Sequence, residues 1–156
     1  MAALNPRAHL RASTERMHSQ LVNDLNALPE ENAGVSPGGV ARPAIEFVVE
    51  CGGLNMMISA LLAGREFNRR SPEERKAFYA TFTTREQALA FLEQQTQGLL
   101  RTLDGLDEST LGDVIDGPIG PMTRFALAEL PAMHMMYHDG QLNYLHALRG
   151  DNEMHW

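Results

Sequence analysis

The spacing of apolar residues in four stretches of the chain, each punctuated by Pro or Gly, is the strongest constraint on its fold. Leu10, Met17, Leu21, Leu25 and Leu28 fall at steps of three, four and seven. Such steps lay side chains along one stripe of a helix but scatter them over both faces of a strand. The stretch predicts a helix from about Pro6 to Leu28, stopped by Pro29. A second helix is expected from about Pro43 to Leu62, with Pro at its start and Gly64 past its end, the asymmetry that helix termini favour. A third opens at the TTRE box, where Thr83 caps the helix and Glu86 reaches back, and continues through Phe91, Leu92, Leu99 and Leu103 to about Asp104. The fourth starts near Pro121 and runs to Arg149 before Gly150, and Pro131 inside it predicts a kink or a break.

The intervening segments are polar and rich in Gly and Pro. Residues 30–39 read as a polar loop. A short connector helix is expected with Ser71 as its cap and Pro72 at its first position. The link between the third and fourth helices holds an extended piece around Leu111 to Ile115, and no strand alternation or internal repeat stands out. Four long helices with one short link and two longer ones argue for an all-α, four-helix bundle in one domain, residues 1–156, with crossover connections.

Hydrophobic residues make up 44% and charged ones 21% of the chain, which excludes a disordered or fibrous architecture. With 13 basic against 20 acidic residues the formal charge is −7, and no basic cluster interleaved with aromatics tracks a phosphate backbone, so nucleic acid is not an expected partner. The N-terminal stretch carries charges and a proline where a signal peptide needs an apolar run, and no segment reads as a membrane span of ~18 apolar residues; a cytoplasmic location is expected. The lone Cys51 has no internal disulfide partner and reads as a small buried hydrophobe.

In the fourth helix Leu127, Leu130, His134, His138, Leu142, Leu145 and Leu148 follow one another at steps of three and four. His134 and His138 therefore sit one above the other on the core face, spaced so that two imidazoles can converge on one ion. The second helix repeats the pattern with Phe47, Glu50, Leu54, Met57 and Leu61, which puts a carboxylate inside an apolar stripe with nothing obvious to neutralise it. A carboxylate buried in this way is protonated, hydrogen-bonded, paired or bound to a cation. Either Glu50 joins the two histidines in a two-His-one-carboxylate site for Zn²⁺, Ni²⁺, Mn²⁺ or Fe²⁺, with open positions for water or a substrate thiolate, or the helix is rotated so that Glu50 lies on the rim. His18 is either structural or an outer acid/base group at the mouth of the bundle. Glu46 reads as solvent-facing and Asp139 as a surface charge, since neighbours on a helix face apart. Gln141, Asn143 and Tyr144 read as surface groups, His146 as too far along the helix for the same ion, and His155 with Trp156 as a tail against the end of a neighbouring helix.

The run HMMYHDGQLNYLHALRGD followed by EMHW resembles the C-terminal signature of the DinB-like (DinB/YfiT) metal-binding bundle proteins, and FVVECGGLNMMISALLAG is similar to that family's second helix. The resemblance implies an up-down-down-up bundle with a divalent metal near one end, held by one histidine of the second helix and two of the last. His134 and His138 match the latter two, while Glu50 stands at or near the position of the first. It further implies thiol S-transferase, hydrolase or thiol-dependent isomerase chemistry on small electrophiles, with a low-molecular-weight thiol such as bacillithiol or mycothiol as cofactor, and a homodimer. The alternative expectation is a non-catalytic metal-binding or stress-response protein that dimerises through a helix face.

Overall fold

In the computed structural model, which describes residues 5–155, the Asn5 side chain accepts a hydrogen bond from the Ala8 amide at 2.8 Å and Pro6 occupies the first helical turn, starting α1 (Pro6–Ala27). The polar loop that follows contains one helical turn, α2 (Glu30–Ala33). Then come α3 (Ala44–Leu62) and the connector helix α4 (Pro72–Tyr79), which opens with a capping box between Ser71 and Glu74. Helix α5 (Arg85–Asp104) is capped by Thr84, whose partner is Gln87, not by Thr83 with Glu86; the expected box is shifted by one residue.

A 3₁₀ turn (Glu108–Thr110) leads into an antiparallel hairpin, β1 (Val114–Gly117) with β2 (Gly120–Thr123), in which Val114 faces Thr123 and Gly117 faces Gly120. The extended piece expected around Leu111 to Ile115 is therefore one edge of a two-stranded ribbon. Because β2 takes Pro121, the last helix, α6 (Arg124–Leu148), begins three residues later, with Thr123 as its cap. The helix runs unbroken through Pro131. Proline there removes one backbone hydrogen bond, and buried Leu127, Ala128, Ala132 and Met135 around it hold both halves against the neighbouring helices.

Contacts between helices give their directions. Arg7 near the start of α1 reaches the Asp104 carbonyl at 3.2 Å, and Arg85 reaches the Asn26 carbonyl at 2.6 Å, so α1 and α5 are antiparallel. Asn55 pairs with Thr96 at 3.0 Å and Ser59 with Thr102 at 2.7 Å, so α3 and α5 are parallel. Arg124 donates to the Leu62 carbonyl at 2.8 Å, joining the start of α6 to the end of α3. His146 donates to the Asp24 carbonyl at 2.9 Å, joining the late turns of α6 and α1. The bundle is up-down-down-up: α1 packs on α5 and α6 and lies diagonal to α3.

Two choices in α3 shape the site. A Cβ on Gly52 would lie 2.7 Å from the Phe91 ring, so glycine is what lets α3 approach α5 this closely. The buried face of α3 carries Ile45, Val48, Cys51, Asn55, Ile58 and Leu62, while Glu50, Leu54, Met57 and Leu61 line a half-buried edge. That rotates the helix away from the stripe expected to face the core. It also corrects the reading that no segment is apolar enough to span a membrane: Ala44–Leu62 passes on length and composition, and in the bundle 56% of its most apolar window is buried against neighbouring helices.

Candidate metal centre

The antiparallel packing of α3 on α6 brings Glu50 opposite His134 and His138. The Nε2 atoms of both histidines lie 3.8 Å from Glu50, His134 facing Oε1 and His138 facing Oε2, and the two rings meet edge to face at 4.5 Å. His138 is 1% exposed. Its Nδ1 donates to the Gln141 amide oxygen at 2.7 Å, and the Gln141 amide nitrogen is oriented in turn by Tyr137 at 3.2 Å. Nε2 of His138 is then a bare lone pair, buried and without a partner. Burial above all, together with the neighbouring His134, pushes its pKa down to about 4, so the ring is neutral near pH 7, the form that binds metals. Phe47 stacks on the ring at 5.2 Å and 19° and fixes its plane.

His134 stands between two donors. Its Nδ1 lies 3.6 Å from Cys51 Sγ, and its Nε2 faces Glu50. Cys51 is fully buried, and burial with the nearby Glu50 carboxylate pushes its thiol pKa up. Cys51, His134 and His138 each present a ligand atom within 4.8 Å of the others. Their chemistry fits a divalent ion: a neutral, tautomer-fixed imidazole with an unpartnered nitrogen, a second imidazole beside it, and a thiol or a carboxylate to complete the set.

Glu50 is not left unneutralised, which corrects the sequence reading. His134 and Arg42 face its carboxylate and hold its pKa at about 2 against the effect of burial; Arg42 forms an ion pair with Oε2 and lies over the Phe47 ring at 5.2 Å. Glu50 and His134 open onto a cleft of about 420 Å³ whose lining includes the apolar Leu54, Met57 and Phe78 and the cationic Arg69, Arg70 and Arg75. Arg70 lies over Phe78 at 4.0 Å, and Arg69 donates to the Pro118 carbonyl of the hairpin at 3.0 Å.

Other expected residues are placed elsewhere. His18 lies between α1 and α5, with Nε2 at 3.0 Å from Glu93, and is not among the cleft's lining residues. Asp139, expected at the surface, is 8% exposed and faces buried Asp24. Asn143, also read as a surface group, donates from α6 to the Asp24 carboxylate on α1. Gln141 is the orienting partner of His138, and its position three residues on was the signal available in sequence. Glu46 is half-buried, Tyr144 is exposed, and Trp156 lies outside the described residues. A second set of donors, His146, Asp151 and His155, converges two turns further along α6.

Fold and site together define a class: an up-down-down-up bundle with the capacity to hold a metal between long helices. The chain belongs to the DinB superfamily, whose pattern residues 8–142 match. Among solved structures it is similar to a conserved protein from Enterococcus faecalis, with a TM-score of 0.74 at 17% identity over 94% of this chain and 98% of that one. It is also similar to a histidine-to-alanine mutant of the mycothiol-dependent maleylpyruvate isomerase, with a TM-score of 0.69 at 14% identity over 88% of this chain and 61% of that protein. At these identities the likeness is one of fold. No significant match exists among curated proteins.

Proposed function

We propose that Glu50, His134 and His138 bind a divalent metal and that the protein acts on small anionic electrophiles in the cleft beside it, as a thiol S-transferase or a hydrolase. The reading rests on one observation above others: the buried, neutral Nε2 of His138 has no partner and points at an ionised carboxylate 3.8 Å away. Burying an imidazole lone pair without a partner costs about 1–3 kcal/mol, which a bound cation would offset.

The carboxylate side of His134 is favoured over the thiol side because it opens onto the cleft, whereas Cys51 is sealed in the core. On this reading Cys51 steadies Nδ1 of His134 as Gln141 steadies Nδ1 of His138. Arg42 holds Glu50 ionised. Arg69, Arg70 and Arg75 would bind the carboxylate or phosphate of a substrate, and Leu54, Met57 and Phe78 would cover its apolar body. When bound, a divalent ion supplies Lewis acidity that lowers the pKa of a thiol or water in the cleft.

The test is elemental analysis of untagged protein purified beside its Glu50→Ala, Cys51→Ser and His138→Ala variants. The proposed set requires one metal equivalent fewer than wild type in the first and third and the wild-type content in the second. Wild-type content in both Glu50→Ala and His138→Ala removes it, and loss of an equivalent in Cys51→Ser with wild-type content in Glu50→Ala moves the ion to the buried side. A thiol-conjugation and hydrolysis screen with electrophiles that differ only in a carboxylate then separates an enzyme from a metal-storing or stress-response bundle, for which no turnover is expected.

A further inference from the structure

The end of the chain builds a second constellation that the cleft chemistry does not use. At Gly150 the backbone turns through a left-handed conformation (φ +82°), and the Asp151 amide donates back to the His146 carbonyl at 3.1 Å. The turn places Asp151 beside His146. The Glu153 amide donates to Oδ1 of Asp151 at 3.0 Å, which leaves Oδ2 directed at two imidazoles: His155 Nε2 at 2.9 Å and His146 Nδ1 at 3.3 Å. The two rings lie 4.7 Å apart, inclined at 41°.

His146 carries the argument. It is 2% exposed, and its Nε2 donates to the Asp24 carbonyl at 2.9 Å; a carbonyl only accepts, so the proton is on Nε2. In the neutral ring Nδ1 is then a lone pair aimed at a carboxylate oxygen, two acceptors face to face. A backbone carbonyl on the far nitrogen is also the arrangement that orients metal-bound histidines. Tetrahedral zinc with bonds of about 2.0–2.1 Å sets its donors about 3.3 Å apart, which matches the separation of His146 Nδ1 from Asp151 Oδ2.

We infer that His146, Asp151 and His155 form a second divalent-metal site, selective for ions that accept two nitrogens and one oxygen, such as Zn²⁺, Co²⁺ or Ni²⁺. His155 enters it by moving its proton from Nε2 to Nδ1. The site lies about 12 Å along α6 from His138, at 1.5 Å per residue, so the two ions bind separately. Its ligands come from the tail and the last turns of α6, and His146 is anchored to α1; the bound ion therefore clips residues 151–155 onto the end of the bundle.

The experiment is titration of the metal-stripped, untagged full chain with Co²⁺ and Zn²⁺, counting equivalents by visible absorption and elemental analysis, in wild type, His155→Ala, Asp151→Asn and His138→Ala. Two equivalents in wild type falling to one in both tail variants supports the site. One equivalent in wild type, lost in His155→Ala and kept in His138→Ala, supports it also and removes the cleft site instead. One equivalent that survives His155→Ala overturns it. In wild type, saturating Zn²⁺ is expected to shift the ring ¹⁵N resonances of His146 and His155, and unchanged resonances at both overturn the proposal without relying on any variant.

Discussion

The two ends of the bundle are made from the same four long helices and handle burial in opposite ways. At one end Leu10, Ile58, Leu62, Leu99, Leu103 and Leu127 pack into a leucine core, and the hydroxyls of Ser59 and Thr102 satisfy each other. At the other end Leu21, Leu25, Leu142 and Leu145 share the interior with Asp24, His138, Asp139 and His146, and Oδ1 of Asp24, Oδ1 of Asp139 and Nε2 of His138 have no partner. Unpartnered buried groups weaken a fold; Oδ1 of Asn55 and Nε of Arg124 lie toward the leucine end, so what sets the polar end apart is that its unpartnered groups are acids and a histidine. Both ends carry a buried hydrophobic core, and the proposed metal chemistry belongs to the polar end alone.

A crossed pair of variants tests that division with the largest effects. Leu99→Ala is expected to cost about 2–5 kcal/mol in denaturant unfolding and to leave metal content unchanged. His138→Ala is expected to lose the metal of the cleft site and to cost the metal-free protein far less. If Leu99→Ala strips the metal, or His138→Ala destabilises the metal-free chain as strongly, the ends are coupled and the division fails.

Protonation draws the same line. Burial and the adjacent Asp24 carboxylate push the pKa of Asp139 up to about 7. An acid whose folded pKa is raised contributes stability that is complete below its unfolded value and lost as pH rises through the folded one. His138 has the opposite sign: with its pKa lowered to about 4, its contribution is complete above the unfolded value and lost as pH falls toward 4. Between these limits the two trends offset each other in the metal-free protein. Asp139→Asn, which mimics the protonated acid, is expected to stabilise it by on the order of 2 kcal/mol at about pH 8 and to make no difference near pH 4, as read by urea unfolding at each pH. The same gain at both pH values would show that Asp139 is not the titrating group.

Gln141→Ala is a gentler probe of the polar end. It leaves all proposed ligands in place and frees the His138 ring to change tautomer, so metal affinity is expected to fall about 10- to 100-fold with the unfolding midpoint nearly unchanged. Competition with a chromophoric chelator gives the affinity. An unchanged affinity would mean that Phe47 stacking alone orients the ring.

How much of this was legible beforehand follows the same division. The helices are readable because leucines at steps of three and four leave one solution, and the histidine pair because His134 and His138 share that stripe. Glu50 was readable as a carboxylate near the histidines but not as Arg42's partner, since Arg42 lies in the loop before α3 and only the chain's path brings it back. Asp139 is not legible from its own helix, because a residue that faces away from His138 can face either solvent or another helix, and here it faces Asp24 of α1. Cys51 was read correctly as buried, but its contact with His134 depends on the rotation of an almost wholly apolar helix, which no periodicity specifies. The hairpin reads as one extended piece in sequence because two four-residue strands, one ending in Gly117 and the other opening with Gly120 and Pro121, carry too little alternation to register.

The cap of α5 supplies the smallest effect and the sharpest control. Thr83 with Glu86 and Thr84 with Gln87 satisfy the same pattern, and only backbone geometry selects the second: Thr84 has extended φ and ψ, and its hydroxyl accepts from the Gln87 amide at 3.2 Å. Thr84→Ala removes that bond and is expected to cost about 1 kcal/mol, whereas Thr83→Ala should cost a small fraction of it. Helix α5 begins at the polar end, beside the last turn of α1. Loss of this cap therefore weakens the end that holds the site without touching any donor. If metal affinity is set by the donors and their orienting partners, Thr84→Ala keeps wild-type affinity in the chelator competition that Gln141→Ala fails; if affinity tracks the stability of that end, the two variants fall together.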